Sequence, residues 1–223
     1  SHQSVRRPRR RHEHDEELPG PQSSGQAAEV PSVVALQRHV GNSGVQHLLR
    51  TGAIRQVAGA DIDSRDVIEG DLFFALKGET MDGHRFLASA FEKGAAAAVV
   101  DRPVPYPHVL VEDTSSALEL LAKAARARVE ATIIGVTGSV GKTGVKEAIF
   151  AALDRSSRGN AHRSVKSYNN HVGVPLSLVR MPARAKVGVF EMGMNHAGEI
   201  AALTRLVRPH VAVVTTIAPA HIE

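Results

Sequence analysis

The sequence has no cysteine, no tryptophan, only two tyrosines and no long apolar run. Each absence removes a class of explanation. Without cysteine there is neither a disulfide framework nor a thiolate metal centre, which agrees with a reducing compartment. Aromatic residues make up 4% of the chain, too few for a base-stacking platform, and this argues against nucleic acid as the ligand. No stretch approaches the roughly 18 apolar residues needed to cross a bilayer. No apolar core follows the basic N-terminal residues, as it would in a secretory signal. The expectation is a cytoplasmic protein without a membrane span. Its 223 residues suffice for one large or two small domains.

The chain changes character along its length. Residues 1–31 are rich in Arg, Pro, Gly, Ser and Gln, with little that could build a core, and are expected to be disordered. The cluster Arg6, Arg7, Arg9, Arg10 and Arg11 suits an acidic partner or nucleic acid. It also suits a plain solvated tail, since Glu13, Asp15, Glu16 and Glu17 cancel much of the charge. Residues 32–51 read as a short helical hairpin, with Val33, Leu36 and Val40 on one face, Val45, Leu48 and Leu49 on another, and Gly41-Asn42 between them. This LQRHVGN…LL segment resembles a short element near the N-termini of some bacterial proteins linked to contractile injection systems; an ordinary amphipathic pair explains it equally. Segment 1–50 is therefore a candidate partner-binding element.

From about residue 52 the pattern is α/β. Strands are expected at 72–76, 95–100, 108–112, 131–136, 186–193 and 210–217. Helices are expected at 84–93, at 115–130 with a Ser116–Glu119 capping box, at 142–153, and at 195–207 with Asn195 as cap. Near-continuous apolar strands alternating with helices imply parallel sheets. The division expected is a small domain over 52–113 and a second over 114–223. The chain reaches Glu223 just after a strand, so the second domain reads as cut short.

TGSVGKT (137–143) carries the most chemistry. A strand precedes it and a helix follows, the setting of a phosphate-binding loop. Gly138 and Gly141 free the backbone, Lys142 supplies charge and Thr143 a hydroxyl for Mg²⁺. The spacing departs from the common G-x-x-x-x-G-K-[ST], which asks for glycine where Val136 stands. Glu191 ends an apolar strand, where ligands of open α/β sheets bind. It is a candidate metal ligand, or else a strand-end carboxylate facing solvent or capping the next helix. His221 and Glu223 follow the next strand at the equivalent end and suit either a metal or phosphate contact or a plain loop. Asn169 and Asn170, in YNNHVGVPLSL, suit a nucleotide base, ribose or sugar, or a turn capping the next element. Ser64 and Arg65 could grip a phosphate or uracil edge through hydroxyl and guanidinium; turn and cap geometry also accounts for that stretch, including Asp82-Gly83-His84.

Five strings in order, DSRDVIEGDLFFALKG with DGHRF, TGSVGKT, YNNHVGVPLSL, EMGMNHAGEI and APAHIE, resemble the Mur ligase family. The resemblance runs from about residue 52 to the end, and the family's T-G-[ST]-x-G-K-[ST] pattern accounts for the loop spacing. It implies a three-domain enzyme of peptidoglycan precursor synthesis that uses ATP and Mg²⁺. The strings point to the branch that adds D-alanyl-D-alanine to UDP-N-acetylmuramoyl-tripeptide through an acyl phosphate. Carried over by position, Ser64 and Arg65 would contact the UDP part. Gly138, Ser139, Gly141, Lys142 and Thr143 would hold ATP phosphates, with Asn169 and Asn170 lining the cleft. Lys142, Glu191 and His221 would carry the chemistry, and Thr143, Glu191 and His221 would bind metal. The family's modified lysine, the rest of its central domain and its C-terminal domain are not in this sequence, so these residues alone are expected not to ligate. The alternative is a catalytically inactive, ligase-like binding or cargo module recruited through its N-terminal segment.

Overall fold

The computed structural model describes residues 57–218, apart from 79 and 195. The expected tail, the helical hairpin and His221 lie outside these residues, as does Asn195.

Two four-stranded parallel sheets organise the described residues. The first places β1 (Gly59–Asp61), β2 (Asp71–Phe74), β3 (Ala97–Val100) and β4 (His108–Leu110) side by side in chain order. β2 and β3 are buried throughout and, apart from Asp71 at the start of β2, apolar, as expected of a sheet covered on both faces. The helix expected from His84 begins as a 3₁₀ turn over Gly83–Phe86 and becomes α1 only at Leu87–Glu92. The Asp82 carboxylate accepts the His84 N–H at 2.9 Å and tightens that first turn.

α2 (Thr114–Ala127) leads to the second sheet. Its cap is Asp113 rather than the expected Ser116. Asp113 has extended backbone, and its carboxylate accepts the Ser116 N–H at 2.6 Å, so Ser116 already lies within the first turn. Leu118, Leu121 and Ala125 of this helix, with Val129 just beyond it, are spaced along one face and are buried.

The second sheet has the order β6-β7-β5-β8. Along the chain it runs β5 (Thr132–Thr137), α3 (Lys142–Ser156), β6 (Ala161–Arg163), α4 (Gly173–Val179), β7 (Val187–Glu191), α5 (Glu199–Val207) and β8 (Val211–Val214). α5 starts four residues later than expected. Gly198, in the left-handed conformation, is its cap, which corrects the assignment to Asn195. From β5 the chain crosses to β6 on one side, and from β7 it crosses to β8 on the other. The crevice between β5 and β7 is therefore the topological switch point. Val136 pairs with Glu191 across it.

One apolar core runs from Leu72, Val99 and Val109 of the first sheet, through Leu118 and Leu121 of α2, to Leu176 and Leu178 of α4, Phe190 of β7 and Val207 of α5. Polar links reinforce it. The Arg180 guanidinium, just after α4, bonds the Asp61 carboxylate and donates to the Ala60 carbonyl at 2.9 Å.

His162 on β6 packs against Phe190 and lies 2.8 Å from the Ser177 carbonyl. Burial pushes its imidazole down from 6.5 to about 4. The folded protein then keeps the ring neutral where the unfolded chain would bind a proton. Stability is expected to fall as pH drops through the window from 6.5 towards 4, by up to about 3 kcal/mol from this group. Urea melts at pH 7.5, 6 and 4.5 should show His162→Gln losing less stability than the parent over that span; equal losses would exclude His162 as the source.

Candidate active site

The loop between β5 and α3 is built from conformations that only glycine adopts readily. Gly138 has φ 131° and Gly141, the cap of α3, has φ 85°. At Gly138 an added Cβ would also fall 2.2 Å from Thr215 Oγ1, so the close approach after β8 needs glycine there. Val136, where the common spacing wants glycine, is instead fully buried on β5. The residues after β8 brace the loop. Ser139 N–H donates to the Thr216 carbonyl at 2.7 Å, Ser139 Oγ donates to the Ala218 carbonyl at 2.9 Å, and Thr215 Oγ1 donates to the Val140 carbonyl at 2.7 Å. Lys142 folds over the loop, its Nζ donating to the carbonyls of Gly138 at 2.7 Å and Ser139 at 3.1 Å.

Glu191, at the carboxyl end of β7, is the hub opposite this loop. Its side chain is 1% exposed, which excludes the solvent-facing alternative. Oε2 accepts the Thr143 hydroxyl at 2.8 Å, and Oε1 accepts the Asn169 amide at 2.9 Å. Lys146 Nζ stands 3.7 Å from Oε2. The Glu191 backbone N–H donates to Ser164 Oγ at 3.1 Å. The Asn169 side chain lies so close to Gly193 that a Cβ there would approach it to 2.7 Å. Among the described residues no three His, Asp or Glu side chains gather as a metal cage. Thr143 and Glu191 instead offer two hard oxygens at one edge of the loop, a set that fits an ion completing its shell with phosphate oxygens and water.

The other expected residues are placed differently. Asn170 Oδ1 accepts the N–H of Val172 at 3.2 Å and of Gly173 at 2.8 Å, so this side chain takes the capping role at the start of α4. Ser64 is buried, whereas the Arg65 side chain is 84% exposed and forks onto Asp63 with a shortest contact of 2.6 Å. That guanidinium holds the Asp63 carboxyl down to about 2. The same loop reaches the second sheet through an Asp66–Lys166 ion pair at 2.8 Å. His196 pairs with Glu199 at 3.3 Å on the surface.

Three participants escaped the sequence reading: Lys146, Ser164 and Thr215. The signal for Thr215 was its place after β8 at the same sheet end. Nothing local marks the other two, because each acts through a residue distant in the chain.

With this geometry in view, the similarities to known proteins are informative. Residues 56–131 match the Mur ligase family catalytic domain, and residues 136–223 match the Mur ligase middle domain. The UDP-N-acetylmuramoyl-tripeptide–D-alanyl-D-alanine ligase of Bacillus subtilis is 43% identical over 172 residues, covering 75% of this chain and 37% of that protein. The Escherichia coli ligase of the same name is 41% identical over 177 residues, covering 75% of this chain and 39% of its own length. The crystal structure of MurF from Acinetobacter baumannii superimposes with TM-score 0.72 at 30% identity, covering 88% of this chain and 43% of that one. MurF ligase from Thermotoga maritima in complex with ADP gives 0.62 at 35% identity, covering 74% and 39%. The chain thus spans under two-fifths of the length of these curated relatives. A phosphate loop, a buried strand-end glutamate and two parallel sheets, with similarity continuous across both, establish that the chain belongs to the Mur ligase family.

Proposed function

We propose that this chain forms the UDP-substrate and nucleotide portions of an ATP-dependent ligase of peptidoglycan precursor synthesis. The reaction joins D-alanyl-D-alanine to UDP-N-acetylmuramoyl-tripeptide, as in the relatives named above. The observation that carries the reading is Glu191, which bridges Thr143 of the phosphate loop and Asn169 at the β5–β7 switch point.

In this reading the backbone N–H groups of Gly138 and Gly141 cradle the ATP phosphates, Ser139 joins them by giving up its N–H bond to the Thr216 carbonyl, and Lys142 exchanges its loop carbonyls for phosphate oxygens. Thr143 and Glu191 hold Mg²⁺, which neutralises charge on the phosphoryl group when bound. The substrate's terminal carboxylate attacks the γ-phosphorus, ADP leaves, and the amine of D-alanyl-D-alanine then attacks the acyl phosphate and expels phosphate. The chain's contribution is positioning and charge neutralisation. Ser64 and Arg65 contact the UDP part. The Asp66–Lys166 pair supports this, because it sets their loop against the segment that runs on to Asn169. Asn169 lines the nucleotide side of the cleft, with Asn170 beside it. His221, by family position, serves a second metal. We place the boundary between units at residues 113–114; the packing of α2 chiefly on α4 and α5 favours counting it with the second. No described helix is long and apolar enough to cross a membrane, and nucleotide substrates favour a cytoplasmic location.

Lys142→Ala tests the loop assignment. Losing a charge-assisted bond worth about 1.5–3 kcal/mol is expected to weaken ATP binding by about 10- to 100-fold in calorimetric titration. Unchanged affinity would remove the phosphate-loop reading.

A further inference from the structure

Lys146 lies one turn beyond Lys142 on α3, and its side chain is fully buried. A buried lysine needs partners, and this one has three: the Lys166 carbonyl at 2.7 Å, Glu147 at 3.2 Å and Glu191 at 3.7 Å. The carbonyl contact is the informative one. Lys166 is a non-glycine residue with φ 54°, a left-handed conformation that persists only where its surroundings enforce it. It sits in the middle of segment 164–169, which wraps Glu191. Ser164 at one end accepts the Glu191 N–H, and Asn169 at the other donates to Glu191 Oε1 while its carbonyl accepts the Gly193 N–H at 2.7 Å. The Lys166 side chain meanwhile reaches Asp66 on the Ser64–Arg65 loop.

We infer that Lys146 is a positioning residue: by donating to the strained Lys166 carbonyl it holds segment 164–169 in the shape that brings Asn169 to Glu191 and Lys166 to Asp66. It touches no reacting atom in this arrangement. Its charge also stands beside Glu191, so two roles must be separated: a countercharge to the carboxylate, and a clamp on the backbone. The left-handed residue allows that separation, because glycine adopts φ 54° without strain and needs no clamp.

The inference rests on the nucleotide reading above, and its test keeps the two apart. Affinity for ATP with Mg²⁺ is measured by calorimetry on the complete protein for the parent, Lys142→Ala, Lys146→Met, the shorter but polar Lys146→Gln, and each Lys146 variant combined with Lys166→Gly. Both Lys146 variants lose reach to the carbonyl, and the gentler Gln keeps the test available if Met prevents folding. The expected result is a tenfold or greater loss in Lys146→Met or Lys146→Gln, at least threefold of which returns when Lys166→Gly is added. Lys166→Gly alone, which also gives up the Asp66 ion pair, is the reference against which each double variant is read. A parent that binds no better than Lys142→Ala overturns the nucleotide reading itself. Lys142-dependent binding that survives Lys146→Gln within twofold leaves that reading intact and overturns the positioning role. A loss that Lys166→Gly does not relieve also overturns it, leaving countercharge as the whole of the effect.

Discussion

Glu191→Gln is expected to reduce kcat of the ligase proposed above by about a thousandfold, with a much smaller effect on the binding of its proposed UDP-linked substrate. The substitution keeps the shape of the side chain and removes its charge. In the structure both carboxylate oxygens are committed, one to Thr143 and one to Asn169, with Lys146 alongside. The amide can still accept from one of these donors, but its nitrogen opposes the other. It also cannot help to neutralise a divalent ion beside the loop. Removing one preorganised electrostatic contact from a water-poor site typically costs about 100- to 1,000-fold, and weakened support for a metal places the expected loss at the upper end of that range. Phosphate release under saturating substrates reads this directly. Retention of more than a tenth of parental kcat would show that Glu191 supports the fold rather than phosphoryl transfer. A thermal melt separates the two, since a purely catalytic loss leaves the midpoint within a few degrees.

The second large effect concerns stability. Asp61 is 1% exposed at the end of β1, and its cation is Arg180. Arg180→Met removes that partner and the bond to the Ala60 carbonyl while filling similar space. An uncompensated buried carboxylate costs about 3–5 kcal/mol. For a chain of this size that lowers the melting temperature by roughly 10 °C. Adding Asp61→Asn should recover more than half of the loss, because Oδ1 can still accept the N–H groups of Ile62 and Asp63 while the charge is gone. A single-variant loss below 1 kcal/mol in urea denaturation would show that Asp61 is stabilised by those two backbone donors alone.

These residues also show what the sequence could and could not display. β3, β5 and β7 were legible because they are largely buried on both faces and therefore written in Val, Ile, Phe and Ala, and β8, though largely exposed, keeps the same apolar spelling. β1 and β6 were not: GAD and AHR are three residues each, and their extended form is imposed by pairing with β2 and β7. α4, GVPLSLV, is buried along its whole length, so it lacks the amphipathic stripe by which a surface helix is recognised. In the site, the loop and Glu191 were readable from local order, glycine before Lys-Thr and a carboxylate at the end of an apolar strand. Lys146 was not. A lysine in KTGVKEAIF reads as a solvated position, and its burial is decided by Glu191 and the Lys166 carbonyl, which arrive from other elements. Asn170 could be read either as cleft or as cap, and the Gly173 N–H took its oxygen.

The apolar core that passes from the first sheet through α2 into the second bears on how the chain unfolds. Leu118, Leu121 and Ala122 bury against residues drawn from both halves, and Arg180 ties α4 back to β1. The proposed division at residues 113–114 therefore crosses a shared core. Melting of either half is expected to expose core residues of the other, so the described region is expected to unfold as a single cooperative unit. Protease nicking around residue 113 would release no stable fragment, and a calorimetric scan would show one transition where a two-domain diagram suggests two.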